Sequence, residues 1–279
     1  MIVFLNGQFV PEEQALVSVF DRGFLYGDGL FETLRVFQSK PFRWGQHLER
    51  FKRGATFLGI RPPFSATTLR AYADDLIARN QLPDSLLRLT LSRGLGRRGY
   101  SPRGAAHPTM VMSLHPVPRA TTPPRWRLVN APYLLPANEL LAEFKTCNKL
   151  PQVLACAVAD LVNADEALLS NTDGFVVEAS RSNLFWIQDR AVCTARLASG
   201  VLPGVTRSVV MELCARLDLA VQLTDITPAK LLQTDGVFLS LTSLGIVEAV
   251  SLDRRPLAVS PLTAQIRHGY EGVVQNESR

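Results

Sequence analysis

At 279 residues, 47% hydrophobic and 20% charged, the chain has the composition of a soluble globular protein and the length for two lobes of ordinary domain size. No apolar run is long enough to span a bilayer, and four scattered cysteines (Cys147, Cys156, Cys193, Cys214) lack metal-ligand spacing, so a reduced, cytoplasmic setting without a metal or a membrane is expected. The net charge of +5 rests on arginine, because only five of the thirty basic residues are lysines; the cluster Arg93, Arg97, Arg98 and Arg103 has no aromatic interleaving and no DNA-binding helix beside it, which sets nucleic acid aside.

The N-terminus lacks a basic segment and a cleavage site, and reads as a strand, Val3-Phe4-Leu5, an Asn6-Gly7 turn and a second strand, Gln8-Phe9-Val10. Leu30–Phe37 alternates as another strand and leads through Gln38-Ser39-Lys40-Pro41 into a helix over 45–58, with Leu48, Phe51, Ala55 and Leu58 on one side. A second helix is expected over 65–80, then strands at 86–93 and 109–114. The proline-rich stretch from His115 to Pro124 reads as the connection between lobes, giving an N-terminal domain over 1–117, a linker over 118–125 and a C-terminal domain over 126–279. The second lobe holds a helix over 151–164, a hairpin turned by Thr172-Asp173-Gly174, helices over 205–217 and 228–233, strands at 236–241 and 246–251, and a frayed polar terminus.

Three segments carry chemistry. Lys40, Lys52 and Lys230 sit in a surface turn or on amphipathic helices, whereas Lys145 and Lys149 lie among apolar residues at the start of a helix. A lysine that forms Schiff bases needs surroundings that favour its neutral amine; a lysine at a helix start is also, ordinarily, a solvated residue. Glu178 stands in the apolar strand Phe175–Ala179, where a carboxylate either finds a cationic partner, such as a protonated pyridine nitrogen, or faces water. Gly204-Val205-Thr206 opens a helix whose free N–H groups and threonine hydroxyl suit a phosphate; a plain Pro-Gly turn capped by Thr206 is the other reading. Thr242-Ser243, after the strand Val237–Ser240, offers further hydroxyls.

The order of these segments, with Phe20–Thr33 ahead of them, resembles the fold-type IV enzymes dependent on pyridoxal 5'-phosphate, over nearly the whole chain to about residue 255. That family includes D-amino-acid aminotransferases, branched-chain aminotransferases and 4-amino-4-deoxychorismate lyases. The resemblance implies a two-domain α/β (α+β) protein, with a smaller N-terminal α+β lobe and a larger C-terminal lobe built on a β-barrel-like sheet flanked by helices. It also implies a homodimer. Lys145 would hold the cofactor as a Schiff base and act as the catalytic base, Glu178 would pair with the ring nitrogen, Leu202 would pack beneath the ring, and Arg50, Val205, Thr206 and Thr242 would hold the phosphate.

Within the family, Ser92–Ser101 and Asn163–Leu168 resemble the lyases, and two residues separate Lys145 from Asn148 as in the lyases and the D-amino-acid enzymes. Arg98-Gly99-Tyr100 stands where the latter carry Arg-x-His, and Phe31 lacks the hydroxyl of their tyrosine. Thr242 stands where lyases usually carry asparagine and is more typical of the aminotransferases. The expected function is a 4-amino-4-deoxychorismate lyase that yields 4-aminobenzoate and pyruvate, with branched-chain or D-amino-acid transamination as the alternative. The substrate would be a small amine bearing a carboxylate, met by Arg98 and Tyr100, with Thr33 lining the pocket.

Overall fold

The computed structural model describes residues 1–119 and 123–278; Ala120, Thr121 and Thr122 of the expected linker lie outside the described residues, as does Arg279. Contacts divide the chain into two units. The first comprises Met1–Val117, Phe144–Asn148 and Gln275–Arg279, and the second Pro118–Glu143 and Lys149–Val274. The lysine-bearing segment Phe144–Asn148 thus groups with the first unit rather than with the rest of residues 126–279.

The first unit contains β1 (Ile2–Leu5), β2 (Gln8–Pro11), α1 (Arg22–Tyr26), β3 (Gly29–Phe37), β4 (Lys40–Pro41), α2 (Trp44–Leu58), α3 (Ala66–Asn80), β5 (Ser85–Ser92) and β6 (Thr109–Pro116). Its strands form one antiparallel sheet in the order β2-β1-β6-β5-β3-β4. Asn6 and Gly7 both take positive φ, which gives the β1–β2 hairpin a turn matched to strand twist. Along β3 the residues Leu30, Glu32, Leu34 and Val36 are buried, and α2 turns His47, Leu48, Arg50, Phe51, Gly54 and Ala55 inward at helical spacing. Phe4, Leu34, Phe51, Leu76, Leu87 and Met112 belong to the core between sheet and helices. Helix α1, absent from the sequence expectations, is only five residues long. Asp21 caps it by accepting from the Gly23 N–H at 2.7 Å, and Gly27 ends it in the left-handed conformation.

The second unit contains β7 (Arg125–Leu135), α4 (Leu150–Leu161), β8 (Glu166–Asn171), β9 (Val176–Ala179), β10 (Asn183–Gln188), β11 (Ala191–Thr194), α5 (Val205–Arg216), β12 (Val221–Leu223), α6 (Pro228–Leu231), β13 (Gly236–Leu241), β14 (Gly245–Leu252), β15 (Arg255–Pro256) and α7 (Pro261–Glu277), whose last turn is grouped with the first unit. Strands β10, β13, β14, β7, β8 and β9 pair in that order, and β9 pairs back with β10, so six strands close a barrel. This is the barrel-like sheet that the resemblance implied. Leu128, Leu168, Leu184, Trp186, Leu239 and Val247 belong to its apolar core. Helix α4 makes the crossover between the parallel pair β7 and β8, and α5 makes it between β11 and β12. The expected hairpin at Thr172–Gly174 joins β8 to β9.

The expectation of a frayed C-terminus is corrected: α7 runs for seventeen residues to Glu277 and buries Thr263, Ile266, Tyr270 and Val274. Gly269 and Gly272 inside it weaken helix propensity, and packing overrides them; a Cβ on Gly269 would lie 2.8 Å from Leu213. Among the described residues no helix is long and apolar enough to cross a membrane.

Candidate active site

In the first unit the lysine segment runs beside β3. The Phe31 N–H donates to the Lys145 carbonyl and the Cys147 N–H to the Gly29 carbonyl, each at 2.9 Å, around a bridge between Leu30 and Thr146. Phe144 anchors the segment with its ring 4.6 Å from that of Phe57 on α2. Lys145 is half-buried, and its Nζ lies 4.8 Å from the centre of the Phe31 ring. Phe31 and Thr33 alternate with the helix-facing residues of β3, so they line the opposite face of the sheet. Arg88 on β5 shares that face, with its guanidinium carbon 3.8 Å from the centre of the Phe31 ring.

On the helix-facing side Glu32 is almost completely buried against two residues of α2. Its Oε1 accepts from Arg50 Nε, and its Oε2 accepts from Arg50 Nη2, both at 2.7 Å; His47 Nδ1 lies 2.7 Å from Oε2. Burial pushes the Glu32 carboxyl up, but the Arg50 charge and the hydrogen bonds from His47 and Arg50 outweigh it and hold the group at about 2. Burial pushes the His47 imidazole below its ordinary value despite the hydrogen bond with Glu32, and the charges of Arg50 and Lys145 push the same way. Arg50 therefore arrives at its expected position with two guanidinium nitrogens already held by Glu32 in a bidentate pair.

The expected substrate residues Arg98 and Tyr100 lie on the loop after β5, and both are exposed, Tyr100 by 87%. Arg22 fixes this loop from beneath. It donates to the carbonyls of Gly99, Tyr100 and Ser101 at 2.8, 3.0 and 3.2 Å, and to Asp28 at 2.7 Å. Within this unit the structure places Arg98 and Tyr100 at the surface, while Thr33 lies on the sheet face that carries Phe31.

In the second unit Glu178, Asn183 and Ser240 are register partners across β9, β10 and β13. Glu178 is half-buried, and its Oε2 accepts from the Leu202 N–H at 3.2 Å. Asn183 Nδ2 donates to the Leu202 carbonyl at 2.9 Å, so both polar groups of the Leu202 backbone are fixed. Two residues on, Gly204 is the N-cap of α5 and offers no side-chain cap to the helix. A Cβ on Gly204 would stand 2.0 Å from Asn183 Oδ1, so any larger residue would push the Asn183 side chain away. Val205 and Thr206 form the buried first turn, with uncapped N–H groups and the Thr206 hydroxyl. Thr242 follows the end of β13, one strand from Asn183, and is half-buried. Glu178, Leu202, Val205, Thr206 and Thr242 are thus gathered at one end of the barrel.

Sequence reasoning assigned no role to Glu32, His47, Arg88 or Asn183. A charged residue in the buried phase of an alternating strand was the available signal for Glu32. For Arg88 it was an arginine on the polar phase of Leu86–Arg93. Asn183 opens Asn183–Trp186, a segment that resembles the lyases, but its own role needs the barrel register. The notch it makes for Gly204 is a three-dimensional fact.

The amino-transferase class IV family model matches residues 29–252. The chain is 30% identical over 283 residues to a D-alanine aminotransferase of Staphylococcus aureus, covering 99% of each chain. A structure from Legionella pneumophila, provisionally named a 4-amino-4-deoxychorismate lyase, superimposes with a TM-score of 0.87 at 29% identity, over 94% of this chain and 97% of that one. A branched-chain amino acid aminotransferase of T.th., solved with pyridoxamine 5'-phosphate, gives 0.92 at 27% identity, over 100% and 95%. With the closed barrel and the gathered residues, these likenesses show that the chain belongs to the class IV aminotransferase family.

Proposed function

We propose that the protein is a pyridoxal 5'-phosphate-dependent 4-amino-4-deoxychorismate lyase. The observation that carries the cofactor is the barrel end, where a half-buried carboxylate and an uncapped helix N-terminus are tied together through Leu202 and Asn183. One end suits a protonated ring nitrogen and the other a phosphate, with Val205, Thr206 and Thr242 as its partners. By family resemblance, Lys145 and Arg50, which Glu32 holds, would also contact the cofactor. When bound, pyridoxal 5'-phosphate supplies an electron sink for negative charge on the carbon that bears the substrate nitrogen.

Lys145 would supply the amine that holds the cofactor and would serve as the base for the proton on the substrate carbon that bears nitrogen. Main-chain hydrogen bonds through the Lys145 carbonyl and the Cys147 N–H tie this segment to β3, and the Phe31 ring lies against the amine. Glu178 would pair with the ring nitrogen and favour its charged form. The bond from the neighbouring ring carbon to the enolpyruvyl ether oxygen would then break, enolpyruvate would leave with that oxygen and take up a proton to become pyruvate, and the ring would become aromatic 4-aminobenzoate. Support for elimination comes from the lyase-like Ser92–Ser101 segment and from the Legionella neighbour. The test is release of 4-aminobenzoate from 4-amino-4-deoxychorismate by the purified, cofactor-loaded enzyme; no release would overturn the lyase reading.

Transamination is the second reading, favoured by Thr242 and by likeness to D-alanine and branched-chain aminotransferases. In that case Lys145 would also deliver the proton back, and a 2-oxo acid would be needed to carry the nitrogen away. Conversion of the cofactor to pyridoxamine phosphate by an amino acid alone identifies this outcome. The working form is proposed to be a homodimer, because Leu16, Val19, Phe20 and Phe24 expose a run of apolar side chains, Phe24 by 75%. All four cysteines are free thiols, which supports a reducing, cytoplasmic setting.

A further inference from the structure

We infer that Arg22 is a positioning residue for substrate binding, because it holds the loop that presents Arg98 and Tyr100. The inference rests on the proposed function and on the substrate roles expected of those two residues. From Arg97 to Gly104 no residue is buried, so the loop has no side chain of its own in the core. Its anchor comes from α1 instead. Arg22 is only 3% exposed, and its two terminal nitrogens donate to three consecutive carbonyls, those of Gly99, Tyr100 and Ser101, at 2.8, 3.0 and 3.2 Å. In the other direction the Gly99 N–H donates to the Tyr26 hydroxyl at 3.0 Å, and the Tyr26 ring meets that of Tyr100 edge-on at 5.6 Å. A Cβ on Gly96 would lie 2.7 Å from Arg22 Cδ, so the loop is also shaped around the arginine stem.

The loop's main chain is thereby fixed while the side chains of Arg98 and Tyr100 stay exposed. A buried guanidinium bonded to the backbone of an exposed loop sets the direction in which that loop's side chains point. The clamp is itself held. Asp28 Oδ2 accepts from Arg22 Nε at 2.7 Å and from Arg93 Nε at 2.8 Å. Arg93 donates onward to the carbonyls of Leu58 and Gly59 at the end of α2, at 2.7 and 3.2 Å. One carboxylate between two guanidinium groups leaves a net positive charge, which the five carbonyls take up. Burial pushes the Asp28 carboxyl up, but the hydrogen bonds and charges of Arg93 and Arg22 outweigh it and hold the group below its ordinary value. A lysine in place of Arg22 would keep the charge but would not reach Asp28 and three carbonyls together, because an ammonium presents its donors at one point.

The test compares Arg22→Lys with wild type, both cofactor-loaded, by limited trypsin digestion and by kinetics. Cleavage after Arg97, Arg98 and Arg103, mapped by mass spectrometry, should be about 10-fold faster in the variant, because the loop opens without breaking the clamp. With 4-amino-4-deoxychorismate, KM should rise about 10-fold while kcat stays within about 3-fold. In a background carrying Arg98→Ala and Tyr100→Ala, the same substitution should change KM by less than about 2-fold, since nothing on the loop is left to position. Loop cleavage or KM within about 2-fold of wild type in Arg22→Lys would overturn the inference, as would a KM effect that persists undiminished in the loop background. Should Arg22→Lys fail to fold, Asp28→Asn, which removes the charge that holds Arg22, takes its place with the same expectations. Wild-type enzyme that releases no 4-aminobenzoate would instead bring down the proposed function, and this inference with it.

Discussion

Glu32 and Arg50 form a pair whose cost and value are set by burial. Two charges taken out of water are tolerable here because both carboxylate oxygens are hydrogen-bonded, and the third partner, His47, enters neutral. Glu32→Gln would leave Arg50 buried without its counter-charge, and should cost about 3–5 kcal/mol in urea unfolding at pH 7. The same residues set an acid limit. The folded carboxyl titrates at about 2 rather than 4.5, so the stability it contributes is fully present above pH 4.5 and is lost as pH falls from there toward 2, on the order of 3 kcal/mol in all. The depressed His47 acts in the same direction, its contribution being lost as pH falls below 6.5. Urea midpoints measured from pH 7 to pH 3 should therefore fall, and fall less steeply in Glu32→Gln; parallel profiles would contradict the assignment. At the residues proposed for catalysis, Lys145→Ala should abolish turnover with an unchanged far-ultraviolet circular dichroism spectrum. Glu178→Gln should retain the cofactor while turnover drops by about 100-fold or more, because the ring nitrogen would lose its proposed charged partner.

Among the elements, the first turn of α5 depends on one atom that is absent. Gly204→Ala would drive a methyl group into Asn183 Oδ1, displace the amide that holds the Leu202 carbonyl, and shift the helix N-terminus offered to phosphate. The expected result is at least a 10-fold weaker cofactor affinity, read by equilibrium dialysis. Asn183→Ala in the same background should restore part of it by removing the clash. Most elements were legible in the sequence because period and punctuation agreed: β1–β2 around Asn6-Gly7, α2 with its inward face, and α5 after Pro203-Gly204. Helix α7 was not, since two glycines masked a spacing of three and four that runs from Thr263 to Val274. Strands β7, β8, β10 and β11 carry no individual signal of register, and barrel closure through β9–β10 is a non-local pairing that local pattern does not encode.

For the molecule as a whole, the candidate residues divide by what local sequence can specify. Lys145, Glu178 and the α5 N-terminus each sit in a segment whose composition suggests its chemistry. Arg22, Glu32 and Asn183 draw their roles from partners on other elements, 18 residues away for Glu32 and Arg50 and five for Glu178 and Asn183 across a strand pair. The exposed apolar run from Leu16 to Phe24 gives an assembly-level expectation: sedimentation should report a species of twice the 30.8 kDa chain at micromolar concentration, and a monomer there would contradict the proposed dimer. The central claim is that Lys145, and not the neighbouring half-buried Lys149, carries the cofactor. Borohydride reduction of the cofactor-loaded protein followed by peptide mass mapping tests it most directly. The account predicts one pyridoxyl adduct, on Lys145; an adduct on Lys149, or none on either lysine, would contradict it.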